Sequence, residues 1–224
     1  MKLIGITGKA GAGKTTFSDM LAEKDNIGVI HIDDILRKIK LKYFKILMGK
    51  DKQGEKAKVN SKMKTIIYKN KILFDIFMKF RAKLVEKPLK KEIDQLENMG
   101  KKIILIDDIF IQYQKCYKEL SQIFLVERPF IDRRKALEDR DELSKKEVVS
   151  YDVAHVTGNY KDIVKGNNTI KIINNKSKQE LSKMVDLIYQ RYFFNIKDKY
   201  KVKNLKVVDF KEIPKVKERV NIIR

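Results

Sequence analysis

The opening of the chain is its strongest constraint: an apolar run, Lys2-Leu3-Ile4-Gly5-Ile6-Thr7, leads directly into Gly8-Lys9-Ala10-Gly11-Ala12-Gly13-Lys14-Thr15. This is a complete GxxxxGKT loop. The residues before it suit a buried parallel strand, and Thr16-Phe17-Ser18-Asp19-Met20-Leu21-Ala22 continues with helical spacing. In such a loop, glycines let backbone N–H groups curl around phosphate oxygens, the lysine reaches the β and γ phosphates, and the hydroxyl ligates magnesium. The N-terminal end of the following helix adds partial positive charge. Gly8, Lys9, Ala10, Gly11, Ala12, Gly13, Lys14, Thr15 and Thr16 are therefore expected to hold a nucleoside triphosphate, with ATP and Mg2+ as cofactors and Thr15 as a metal ligand.

At 224 residues the chain has room for one α/β domain and a small helical insertion. Its 43% hydrophobic and 36% charged content is that of a globular protein, and no apolar run approaches the length that spans a bilayer. The first strand begins at the N-terminus, so we expect no leader, no membrane partner and a cytoplasmic location. Cys116 has no second cysteine to pair with, and two histidines complete no cysteine/histidine metal cluster. We read Cys116 as a buried small hydrophobe. The net charge of +21 comes from lysines spread along the whole chain. That spread fits a solvated surface around a site for polyanionic ligands, without a specific nucleic-acid partner.

Further along, Gly28 to Ile32 forms a second strand ending at Asp33 and Asp34, and helical spacing resumes at Ile35. Ligands of open parallel sheets collect beyond the carboxyl ends of the strands, so both acids should face the crevice of the phosphate loop. Residues 40 to 60 are lysine-rich, with a turn at Gly49 to Gly54. Residues 61 to 99 read as a helical insertion in which Ile66, Ile67, Leu73, Phe74, Phe77, Met78 and Phe80 are first packing residues, and Pro88 starts or kinks a helix. Lys102 to Ile106 followed by Asp107-Asp108 repeats the strand-then-acid arrangement, and one of the pair, Asp107 first, is a candidate for the magnesium shell. Ser121 to Glu127 is a fourth strand and Ile131 to Arg140 a basic helix. Ser144 with Glu147 forms a capping box, Thr169 to Ile173 is a fifth strand, and Ser177 to Tyr192 an amphipathic helix.

The expected fold is α/β: a five-stranded parallel sheet in a three-layer sandwich, with a helical insertion over about 40–100 and a lid over about 131–160. Residues 1–196 form this domain. Residues 197–224 are a basic appendage, either β-like or a tail.

These landmarks together resemble the dephospho-CoA kinase family over most of residues 1 to 192. Gly5-Ile6-Thr7-Gly8 through Lys14-Thr15 is similar to that family's opening, and Asp33 and Arg37 match its Asp-x-Asp-x-x-x-Arg segment, with His31 in place of the first acid. Arg140-Asp141-Glu142-Leu143-Ser144-Lys145-Lys146-Glu147 resembles its lid element, and Ile173-Asn174-Asn175 its closing Ile-Asp-Asn. Lys87-Pro88 stands where the family has His-Pro, and His155 where it usually has glutamine after the lid.

The resemblance implies transfer of the ATP γ-phosphoryl group to the 3′-hydroxyl of dephospho-CoA by a monomeric enzyme. Asp33 is then the base that accepts the hydroxyl proton, unless it or Asp34 caps the next helix. Arg140, with Arg133 or Arg134, closes over the phosphates, and Asn175 lies against the nucleotide. Arg37 pairs with Asp33 or holds an acceptor phosphate. His31 and His155 pack or hydrogen-bond. The alternative is another small-molecule kinase of this fold, acting on a nucleoside or nucleotide in the manner of uridine kinases; an Asn-Lys-x-Asp base-reading motif for a GTPase is missing.

Overall fold

Strand burial follows from sequence. β1 (Lys2–Thr7) and β3 (Ile103–Asp107) are buried along nearly their whole length, as strands covered by helices on both sides must be. The computed structural model describes residues 1–47, 67–68, 70–141, 149, 163, 168–175, 177–193 and 207–208, with the side chains of 40–47, 140, 141, 207 and 208 left aside. In it β1 and β3 join β2 (Ile27–His31), β4 (Gln122–Glu127) and β5 (Thr169–Ile173) in the order β2-β3-β1-β4-β5, with every pairing parallel. These are the five expected strands. Two further residues, β6 (Val207–Val208), pair in parallel with Lys171 and Ile172 and extend the β5 edge, so part of the 197–224 segment joins the sheet.

The two faces of the sheet sort by alternation. Ile103 and Leu105 point into one core with Ile4, Ile6, Phe124 and Ile172, covered by α1 (Lys14–Ala22) through Phe17 and Leu21 and by the C-terminal helix through Met184 and Ile188. Ile104 and Ile106 point into the other, covered by α2 (Ile32–Leu47) through Ile32 and Ile35 and by α3 (Lys71–Asn98) through Val85 and Leu89. α4 (Phe130–Asp141) follows β4, and α5 (Lys178–Ile188) follows β5. The result is the three-layer sandwich.

Several local expectations change. α2 begins at Ile32 with no linker after β2, so Asp33 and Asp34 occupy its first turn instead of capping it; carboxylates there are favoured by the helix dipole. α3 continues through Pro88, whose missing N–H costs one hydrogen bond in a 28-residue helix packed on the sheet through Val85 and Leu89. The aromatic stripe of this helix divides. Phe74 and Met78 are buried with Tyr68 and Phe110, whereas Leu73 and Phe80 are exposed at 43% and 59%. Ser177 caps α5 in a reciprocal box with Glu180, after which a π-helical turn, Tyr189–Phe193, brings Tyr192 and Phe193 onto the ring of Phe124. Cys116 is buried, and burial pushes its thiol up to about 11. The turn at 49–54, Ile66, Ser144, Glu147 and His155 lie outside the described residues.

Phe124 is fully buried and meets Phe17, Tyr192 and Phe193 edge-on. Phe124→Ala should lower stability by roughly 3–5 kcal/mol in urea titrations followed by circular dichroism.

Candidate functional site

The phosphate loop leaves the carboxyl end of β1, the central strand, where connections depart toward both edges of the sheet. Its shape is held by three separate elements. Gly8 sits at φ 152° against the end of β4, where a Cβ would run into the Val126 carbonyl oxygen. Gly11, at φ 74°, lies against α4, and Arg133, 3% exposed, donates from one guanidinium nitrogen to the Ala10 carbonyl at 3.1 Å. The Asn174 amide beyond β5 donates to the Ala12 carbonyl at 2.9 Å and abuts Gly13, which sits at φ 90° as the residue preceding α1. Left-handed backbone at Gly11 and Gly13 is accessible to glycine at little cost. Lys14 donates to the Lys9 carbonyl at 3.4 Å, so its ammonium stays over the loop.

Two adjacent acids end β3, and their surroundings give them different roles. Asp107 Oδ2 accepts from the Thr15 hydroxyl at 3.0 Å and lies 3.1 Å from His31 Nδ1, while His31 Nε2 lies 2.9 Å from Asp19. Parallel register sets this up, because His31 and Asp107 are paired positions on β2 and β3. Asp108 is fully enclosed: Arg81 from α3 grips both its oxygens at 3.0 and 2.8 Å, Gln114 donates at 2.6 Å, and the Phe110 N–H at 3.2 Å. Asp108 is thus committed to holding α3 on the sheet, and Asp107 is the acid that meets the loop hydroxyl.

Asp33 stands on the first turn of α2, 3.5 Å from the same Arg81 fork. Its carboxylate is 87% exposed to the water of the cleft, yet walls of protein surround it. That loss of bulk solvation, then the charge of Asp108, raises its pKa, against the opposing pull of Arg81 and Lys14. A cavity of about 1020 Å³ joins these groups, lined on the polar side by Lys14, Thr15, Asp33, Arg81 and Asp107 and on the apolar side by residues including Phe77, Phe80 and Leu84. Phe77, which packs against the Phe74 cluster as expected, and the exposed Phe80 both line the cavity.

Other expected site residues fall differently. Arg37 pairs with Asp34 at 3.1 Å, one helical turn away, and not with Asp33, though it still lines the cavity. Arg133 braces the loop from below, and Arg134 turns along its own helix to Glu138 at 3.6 Å, so neither stands as a free lid cation. Arg140 lies on α4, but its side chain is outside the described residues. Asn174 reaches the loop, whereas Asn175 beside it is exposed.

Sequence reading missed Arg81, Gln114 and the tie made by Asn174. For Arg81 a signal existed: it falls within the buried series Phe74, Met78, Arg81, Val85 and Leu89, whose spacing of three and four marks one face of a helix. A cation on that stripe must have a buried partner.

The oxygen donors Thr15 and Asp107, next to a phosphate loop, fit magnesium, which takes one or two protein oxygens and completes its shell with phosphates and water. Among the described residues no group of three His, Cys, Asp or Glu side chains forms a metal cluster, and no helix is long and apolar enough to cross a membrane.

Sheet order, loop and acid placement define a parallel α/β sandwich with a phosphate-binding loop at the carboxyl end of its central strand. The chain is 27% identical over 150 residues to a dephospho-CoA kinase of Bartonella quintana (strain Toulouse), a stretch covering 65% of this chain and 76% of that protein. The crystal structure of TT1252 from Thermus thermophilus superposes with a TM-score of 0.62 at 18% identity, covering 85% of this chain and 97% of that one, which is a likeness of fold. No protein-family model matches the chain.

The hydrogen bond to Asp107 raises the pKa of His31 from 6.5 to about 9, against partial desolvation and with help from the charges of Asp107 and Asp19. A raised folded-state pKa stabilises fully below the unfolded value and is lost as pH climbs through the folded one. The thermal midpoint, measured in EDTA, should therefore fall between pH 6.5 and about 9, and His31→Gln should flatten that slope. The stabilisation involved is about 2 kcal/mol, after allowing for a side chain 20% exposed.

Proposed function

We propose that the chain is a phosphotransferase that moves the γ-phosphoryl group of ATP to the 3′-hydroxyl of dephospho-CoA, giving coenzyme A and ADP. One observation carries the reading: Asp33 and Lys14 line the same cavity, so a proton acceptor faces the lysine of the phosphate loop across a space large enough for an acceptor. The 27% likeness to a dephospho-CoA kinase, over 65% of the chain, supports the choice of acceptor.

In this reading the loop N–H groups and Lys14 hold the triphosphate, and Lys14 neutralises charge that spreads over the transferring oxygens. Thr15 and Asp107 would hold magnesium, which neutralises charge on the β and γ phosphates when bound. Asp33 accepts the proton of the acceptor hydroxyl as that oxygen forms its bond to the γ phosphorus, while the bond to the β–γ bridging oxygen breaks and ADP leaves. Its raised pKa suits this, since a stronger base takes the proton more readily provided it remains ionised at working pH. Arg37, at the cavity rim, is assigned to an anionic group of the acceptor. Arg140 is assigned to the lid. Residues 1–196 form the kinase domain, with the acceptor-binding insertion at about 40–100 and the lid at about 131–160.

A nucleoside or nucleotide kinase is the second reading. The aromatic wall of Phe77 and Phe80 suits a flat base, the adenine of dephospho-CoA as well as the base of a nucleoside.

Purified protein with ATP and Mg2+ should add one phosphate to dephospho-CoA at the 3′ position, read by mass, in preference to nucleosides and nucleoside monophosphates. Asp33→Asn should lower kcat by about 100-fold or more while ATP binding persists. Lys14→Ala should lower kcat/KM by a comparable factor, on the order of 100-fold. Preferential turnover of a nucleoside would replace the first reading by the second, and full activity in Asp33→Asn would remove the assigned base.

A further inference from the structure

Arg81 has no assignment in the reading above, yet it is the one described guanidinium that reaches both β3's terminal acids region and the first turn of α2. It is 7% exposed, sits on α3, and divides its fork between two carboxylates: Nη1 and Nη2 on Asp108, with Nη2 also 3.5 Å from Asp33. We propose that Arg81 is a positioning residue for Asp33, its fork fixing where that carboxylate points and keeping it ionised toward the cavity. The proposal deepens the kinase reading and rests on Asp33 as base.

Three facts favour this over a purely structural role. First, anchoring α3 requires only the Asp108 contact, which is already bidentate and supplemented by Gln114 and the Phe110 N–H. Second, Asp33 is otherwise poorly held: it is 87% exposed, and Arg37 on the same helix pairs with Asp34 and not with it. Third, the cations facing Asp33 are Arg81 from α3 and Lys14 from α1, while the anions facing it are Asp108 and Asp107 from the end of β3. Lys14 is tethered to the loop through the Lys9 carbonyl, and in a working complex its charge goes to phosphate. Arg81 is the cation left for Asp33. Because the fork is planar and locked on Asp108, the nitrogen that nears Asp33 is held at a fixed place, which a flexible ammonium would not ensure.

The test reads Asp33 directly. Carboxyl-13C aspartate labelling, with Asp33→Asn assigning the resonance, gives the titration midpoint of Asp33 in wild type and variants without any acceptor present. Arg81→Lys keeps a cation for buried Asp108 and hence the fold, but gives up the nitrogen that reaches Asp33. Its Asp33 midpoint should rise by about half a pH unit or more, with a larger rise in Arg81→Gln if that variant folds. Simple loosening of the fold would act oppositely, since better solvation of Asp33 lowers its midpoint. In the transfer assay, Arg81→Lys should lose about tenfold in kcat with KM for ATP changed less than about twofold, and the acid limb of its pH profile should move up with the midpoint. An Asp33 midpoint unchanged or lowered in folded Arg81→Lys overturns the proposal. Absence of phosphate transfer by the wild type would instead remove the kinase reading, and the Asp33 titration would still decide the role of Arg81.

Discussion

One carboxylate oxygen, Asp107 Oδ2, organises the centre of the molecule. It receives the Thr15 hydroxyl from the start of α1 and the His31 ring from the end of β2, so three elements meet at a point that is 6% exposed. The parallel register of β1, β2 and β3 aligns Ile6, His31 and Asp107 at one level, which makes the meeting a consequence of strand pairing and not of loop conformation. His31 stands where the resembled family has an acid. A pair of carboxylates there would repel; an imidazolium between Asp107 and Asp19 is attracted to both.

The Arg81–Asp108 pair carries the second structural burden. Removing either partner alone would strand a buried charge, a loss of several kcal/mol, whereas a hydrophobic replacement of both is often tolerated. What the pair supplies is placement. It fixes α3 in register with β3 and, through α3, sets the wall of the cavity to which Phe77, Phe80 and Leu84 contribute.

How much of this was legible in the residues divides by physical type. Strands β1 to β5 were readable because each is a short apolar run ended by acids, glycines or asparagines, and the loop because its backbone demands glycines at set places. The start of α2 was misplaced, since nothing in Ile32-Asp33-Asp34 announces that a strand passes into a helix without a linker. Pro88 starts no helix, because tertiary contacts on both sides of the proline hold α3 together through it. Pairings between distant positions, Arg81 with Asp108 and Asn174 with Ala12, depend on sheet order, which a single sequence leaves open. Arg133 and Arg134 read as lid cations because a planar guanidinium suits phosphate, yet Arg133 is buried against the loop.

The loop's three-sided brace has a consequence for ligand affinity. Val126, Arg133 and Asn174 belong to β4, α4 and the end of β5, so the curl of backbone that would meet phosphate is already formed when the sheet and its flanking helix are formed. The entropy of ordering that curl is settled during folding, and an incoming triphosphate has little left to freeze. Tightness of nucleotide capture should then track the integrity of β4, α4 and β5, which hold the loop from behind.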